Sequence, residues 1–95
     1  MVVKVILLRR VPAATASELR PMLMEMRALA LAQPGYISGE TLINADDPEE
    51  YLVISTWTDL EHWNTWLKNG ERMMVQRQID SLLGRETLYQ VYYSA

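Results

Sequence analysis

Val2 to Leu8 is apolar at every position but Lys4 and rich in β-branched residues, the pattern of a strand covered on both faces. Pro12 ends it. Thr15 and Glu18 then stand at capping-box spacing, with Ser17 as an alternative cap, and Leu19, Met22, Leu23, Met26, Leu29 and Ala30 follow at helical spacing. Pro21 falls near the start of this helix and either marks its first turn or bends it; Gln33-Pro34-Gly35 stops it. Tyr36 to Ile43 alternates loosely and predicts a second strand, in which Gly39 marks a bulge or a close backbone approach. A polar turn from Asn44 to Pro48 leads into a third strand, Tyr51 to Trp57, so the two strands form a hairpin. Thr58 or Asp59 caps a second helix with the apolar stripe Leu60, Trp63 and Leu67. Asn69-Gly70 breaks it, and a further helix runs from about Glu71 to Leu83 with Val75, Ile79, Leu82 and Leu83 on one face. Gly84 ends that helix, and Glu86 to Tyr93 is the last strand.

The order β-α-β-β-α(α)-β predicts an α+β, ferredoxin-like domain over residues 1–95, an antiparallel sheet with its helices on one face. The helices cannot cover the other face. Yet Val2, Ile6 and Leu8 oppose Val3, Val5 and Leu7, and Leu52 and Ile54 oppose Tyr51 and Val53, so both faces are apolar. A monomer avoids leaving so large an apolar patch in water. The expected remedy is a homodimer, two copies packed sheet to sheet about a two-fold axis.

Composition narrows the partners. The formal charge is −3 and the nine basic residues form no run, which argues against nucleic acid. No stretch reaches the roughly 18 apolar residues of a membrane span. The absence of cysteine excludes disulfides, thiolate metal sites and cysteine nucleophiles, and fits a cytoplasmic location. One histidine among scattered carboxylates makes no transition-metal site, Asp46 to Glu50 lacks the spacing of a calcium loop, and Gly35 and Gly39 are too isolated for a nucleotide fingerprint. No metal and no cofactor is therefore expected.

The segments PGYISGETL (Pro34 to Leu42), YLVISTW (Tyr51 to Trp57) and DLEHWNTWL (Asp59 to Leu67) resemble the antibiotic biosynthesis monooxygenase family. The resemblance covers nearly the whole chain. It implies a dimeric α+β barrel with a pocket in each subunit between sheet and helices. It also implies one of three activities: cofactor-free oxidation of phenols, quinols or anthrones by O2, haem degradation, or none established. Similar haem-degrading proteins combine an Asn in the first strand, a Trp in the second helical region and a His about ten residues on. Trp66 matches the Trp, but Gln76 stands where the His would be, and the first strand ends Leu7-Leu8-Arg9-Arg10 without an Asn.

Trp66 is the first candidate for a functional residue. Relatives of this kind often place a pocket-facing His or Trp there, and an indole could stack on a flat aromatic substrate; the alternative is a Trp at the core margin. His62, four residues earlier, could face the same pocket and take a proton from a phenol, or could simply be an exposed helix residue. Arg9 and Arg10 point to opposite faces by alternation, and one of them, Arg9 in the reading adopted, enters the pocket to meet an anion. Tyr36, Tyr51, Tyr89, Tyr92 and Tyr93 suit either a pocket or an interface, and Met73 and Met74 fall near the pocket mouth. The chain is accordingly expected to be an oxygenase of this type, with a non-catalytic dimer that binds a small aromatic or hydrophobic ligand as the alternative.

Overall fold

The first strand, β1 (Val3–Arg10), buries every second residue in the computed structural model, which describes residues 1–95. Val3, Val5, Leu7 and Arg9 are buried, while Lys4, Leu8 and Arg10 face outward. β1 is central in a four-stranded antiparallel sheet. It pairs on one side with β3 (Asp47–Trp57) and on the other with β4 (Gln90–Tyr93), and β3 pairs with β2 (Tyr36–Asn44). Directly paired residues share a face. The register Val3↔Trp57 to Arg9↔Tyr51 therefore places Tyr51, Val53, Ser55 and Trp57 beside the buried side of β1.

The helices α1 (Ala16–Leu31), α2 (Leu60–Leu67) and α3 (Gly70–Leu83) cover that face, giving the expected α+β, ferredoxin-like arrangement. The core has two centres. Val3, Val5, Ala30, Trp57, Trp63 and Trp66 form one; Val11, Leu19, Val75 and Ile79 form the other, where α1 meets α3. No helix is long and apolar enough to cross a membrane.

Several element ends differ from the sequence reading. The capping box at Thr15 does not form, because a 3-10 turn at Ala13–Thr15 precedes α1 and Thr15 is itself helical. The Thr15 hydroxyl instead donates to the Pro12 carbonyl at 3.0 Å. Pro21 lies in the second turn of an unbroken helix rather than in its first turn. The β2–β3 turn is only Ala45-Asp46, since Asn44 Oδ1 accepts from the Asp46 N–H at 2.8 Å and Asn44 already pairs with Asp47. The bulge in β2 falls at Ile37, not at Gly39; Gly39 instead makes room for the Tyr36 hydroxyl, which lies where a Cβ would go. Asn69-Gly70 begins a helix as well as ending one: Asn69 Oδ1 accepts the Arg72 N–H at 2.9 Å and caps α3. β4 starts only at Gln90, because the Thr87 and Tyr89 side chains bond to groups on α3.

The sheet face away from the helices is open. It carries Leu8, 61% exposed, with Leu42 and Tyr92 also exposed and Ile6, Leu52 and Ile54 half-buried between them.

Candidate functional site

A cavity of about 400 Å³ lies between α1 and the β2–β3 half of the sheet. That volume is within the range of small-ligand sites, roughly 300–1,000 Å³. Its floor is Tyr51, Val53, Ser55 and Trp57 of β3, brought to one face by the period-two alternation of the strand. Leu19, Leu23 and Ala30 of α1 form the facing wall, and the exposed Arg20, Met24 and Arg27 complete that side. β2 adds Gly39, Glu40, Thr41 and Ile43.

One end of the cavity is aromatic. Tyr36 meets Trp57 edge to face with centroids 5.2 Å apart, and Trp57 stacks on Trp66 at 6.0 Å and 27°. Trp66 is buried in the core and also lines the cavity. Trp57, the last residue of β3, is completely buried and central to the cluster.

Arg9 also lines the cavity, and Arg10, as alternation requires, is outside and pairs with Asp47 and Glu49. Arg9 is only 7% exposed. One Nη donates to Gln76 Oε1 at 3.4 Å, and Nε has no partner. Burial pushes its pKa down, opposed by the nearby Tyr89 and Asp80. The guanidinium is thus a buried cation in no ion pair beside a largely apolar cavity.

Behind Arg9 runs a polar network that the sequence reading missed. Gln76 Oε1 also accepts from the Tyr89 hydroxyl at 3.0 Å, and Gln76 Nε2 donates to Asp80 Oδ1 and Thr87 Oγ1, each at 2.8 Å. Thr87 in turn donates to Asp80 at 2.7 Å. Arg72 donates to the Tyr89 hydroxyl and to the Leu67 carbonyl, and its guanidinium lies 5.9 Å from the Trp66 ring centroid. Burial lowers the Arg72 pKa and raises that of Tyr89, which the two arginines pull the other way. Arg72, Gln76 and Asp80 recur every four residues, so they share one helix face beside Val75 and Ile79; that spacing was the available signal.

His62 is not on the cavity wall. Asp59 caps α2, its Oδ1 taking the His62 N–H at 2.8 Å and standing 2.7 Å from the ring Nδ1. This holds the imidazole against Gly35 at the helix start, in a separate cleft that shares only Trp66 with the main cavity. The four-residue spacing does bring His62 and Trp66 to one cleft, but that cleft is not the one lined by Arg9, Tyr36 and Trp57. Met73 and Met74 also miss the cavity: Met73 lies in a cleft between α3 and the segment that precedes β4, and Met74 is 61% exposed. Of the tyrosines, Tyr36 and Tyr51 line the cavity, and Tyr92 and Tyr93 are exposed outside it. No group of three or more His, Cys, Asp or Glu side chains is arranged to hold a metal ion.

Known folds place this architecture. A conserved protein from Methanosarcina mazei Go1 superposes with a TM-score of 0.91 at 15% identity, covering 100% of this chain and 94% of that one. SnoaB from Streptomyces nogalater, described as a cofactor-independent oxygenase, gives 0.86 at 18% identity in one of its variants, covering 98% of this chain and 92% of that one. Rv0793 from Mycobacterium tuberculosis gives 0.86 at 20% identity, covering 100% and 96%. At these identities the likeness is one of fold. No curated protein matches the sequence significantly. A family model, however, matches residues 1–77, the span that carries the cavity and all three tryptophans, and by that match the chain belongs to the antibiotic biosynthesis monooxygenase family.

Proposed function

We propose that this protein is a cofactor-independent oxygenase that oxidises a small planar phenol, quinol or anthrone with O2. The observation that carries the reading is the cavity itself: it is aromatic at the Tyr36–Trp57–Trp66 end and bears, at Arg9, a buried cation whose Nε has no protein partner. The description of SnoaB as a cofactor-independent oxygenase supports it. Stacking on the aromatic end holds the rings. The bound phenol or enol gives up its proton to water, and Arg9 stabilises the oxyanion that forms. The electron-rich anion then reduces O2. Conversion of an anthrone CH2 to a carbonyl consumes one O2 and releases one H2O. Trp66 acts as wall and stacking partner, and His62, outside the lining, takes no part in the proton transfer.

The working unit in this reading is a homodimer. Leu8, Leu42 and Tyr92, with Ile6, Leu52 and Ile54 among them, form an apolar face that a second copy would cover about a two-fold axis. Light scattering should give twice the mass of the chain; a monomer in dilute solution would end this part of the proposal.

One observation favours a second reading, a binding protein without turnover. The cavity lining includes no histidine, and its one acidic residue, Glu40, pairs with Ile54 and so has its side chain on the opposite sheet face, so no side chain is an evident general base. Haem degradation is not favoured, because the Gln76 amide is committed to Arg9, Tyr89, Asp80 and Thr87. Oxygen uptake against a panel of anthrones and hydroquinones, with buffer and boiled-protein controls, decides between the first two. Uptake above both controls, lost in Arg9→Met and kept in His62→Ala, is the expected result. Saturable binding of the same compounds without uptake would establish the binding protein instead.

A further inference from the structure

Two guanidiniums are buried in this domain, Arg9 at 7% exposure and Arg72 at 5%, and neither has a carboxylate within 4 Å. The carboxylate that does belong to their network, Asp80, is reached only through the Gln76 amide: Arg9 to Gln76 Oε1, then Gln76 Nε2 to Asp80. Tyr89 joins Arg72 to the same amide oxygen. The interior thus contains two cations and one anion, and the cation nearer the cavity is the one with an unpartnered N–H. A buried charge surplus of this kind is costly without a counter-charge, and an anion in the cavity that Arg9 lines would supply one. The other charged groups around the cavity add to the imbalance. The exposed Arg20 and Arg27 line it from α1, while Glu40 of β2 pairs with Ile54 and so has its side chain on the opposite sheet face, in a chain whose net charge is −3.

We propose that the cavity takes its ligand as a monoanion in the resting complex, and that Gln76 and Asp80 are positioning residues that set how strongly the anion is preferred. Gln76 holds the Arg9 guanidinium at the wall while keeping Asp80 from pairing with it directly. Asp80 opposes the ligand's charge from behind, so it moderates the preference. This rests on the reading of the cavity as an aromatic-ligand site, but needs no turnover.

The probe is alizarin, a planar hydroxyanthraquinone whose absorbance reports ionisation of its phenol. Its apparent pKa is measured free and bound to the intact protein. An opposite charge within a few ångströms lowers an acid's pKa by about one unit or more, a tenfold preference for the anion. The bound dye should therefore titrate about one unit below the free dye, and Arg9→Met should remove the shift. Gln76→Leu should weaken it, because Arg9 loses its acceptor. Asp80→Asn, which keeps Oδ1 as an acceptor for Gln76 and Thr87, should lower the dye's pKa by roughly a further half unit. Loosened packing would raise that pKa toward the free value, so the sign of the Asp80→Asn change separates an electrostatic role from a merely structural one. Dye that binds saturably but titrates as it does in water, or an Asp80→Asn shift upward, overturns the inference. Failure of any saturable dye binding would instead overturn the ligand-site reading beneath it.

Discussion

Replacing Arg9 by Met should make the empty protein more stable while destroying its site. Arg9 is 7% exposed, in no ion pair, and its Nε is unpartnered. A buried unsatisfied donor costs about 1–3 kcal/mol, and exchanging a buried charge for an apolar side chain of similar volume is often neutral or stabilising by ~1–4 kcal/mol. Against this, the substitution loses one hydrogen bond, to Gln76 at the long distance of 3.4 Å, worth no more than about 1 kcal/mol. It creates no new orphan, because Gln76 Oε1 still accepts from Tyr89 at 3.0 Å. The expected net gain is about 1–2 kcal/mol. In a domain of this size each kcal/mol moves Tm by about 4–8 °C, so the midpoint should rise by roughly 5–15 °C. Thermal and urea unfolding, run at one protein concentration, measure it. Oxygen uptake and dye binding on the same samples should fall together. A loss of more than about 1 kcal/mol would refute the reasoning, since Arg9 would then be a structural residue whose interactions outweigh its burial.

Other perturbations test the frame around the site. Gly35 has φ +82°, and a side chain there would fall on the His62 Cβ and Cγ, so Gly35→Ala should cost at least ~1 kcal/mol in thermal unfolding; an unchanged midpoint would be contrary. Trp66→Ala removes a buried ring stacked on Trp57 and should cost about 3–5 kcal/mol, close to the whole stability of a marginal domain. Trp66→Phe should remain folded, and is therefore the variant in which loss of ligand affinity can be read. The Asp59 carboxyl is held below its ordinary 3.8 by the His62 N–H first and the His62 ring second. A depressed carboxyl pKa contributes stability above the unfolded value that is lost as pH falls through the folded one. Asp59→Ala should accordingly flatten the fall in stability below about pH 4, and an acid-unfolding curve that keeps its wild-type slope would show the cap to be unimportant.

Local pattern was enough to read the fold. Strand periodicity in Val2 to Leu8 and Tyr51 to Trp57, and helical spacing from Leu19 to Ala30, follow from backbone geometry that every residue shares, so element type and order were legible without tertiary information. The same alternation separated Arg9 from Arg10, and the side of the sheet that takes Arg9 is the side the helices cover. Boundaries were less legible where side chains compete for backbone groups. The 3-10 turn displaced the Thr15 cap, and the Asn44 side chain shortened the hairpin loop to two residues. The candidate site divided in the same way. Trp66 could be named from the chain, but its contact with Trp57 joins helix to strand and depends on how α2 packs on β3. His62 shares a cleft with Trp66, as helical spacing predicts, but that spacing fixes only an angle about the helix axis and says nothing of which neighbour, here Gly35, that face meets. The network of Arg72, Gln76, Asp80, Thr87 and Tyr89 was beyond reach for a further reason. Whether a polar side chain on a helix is solvated or buried depends on what lies opposite it, and only the packed chain brings Arg9, 67 residues away from Gln76 in sequence, to that position.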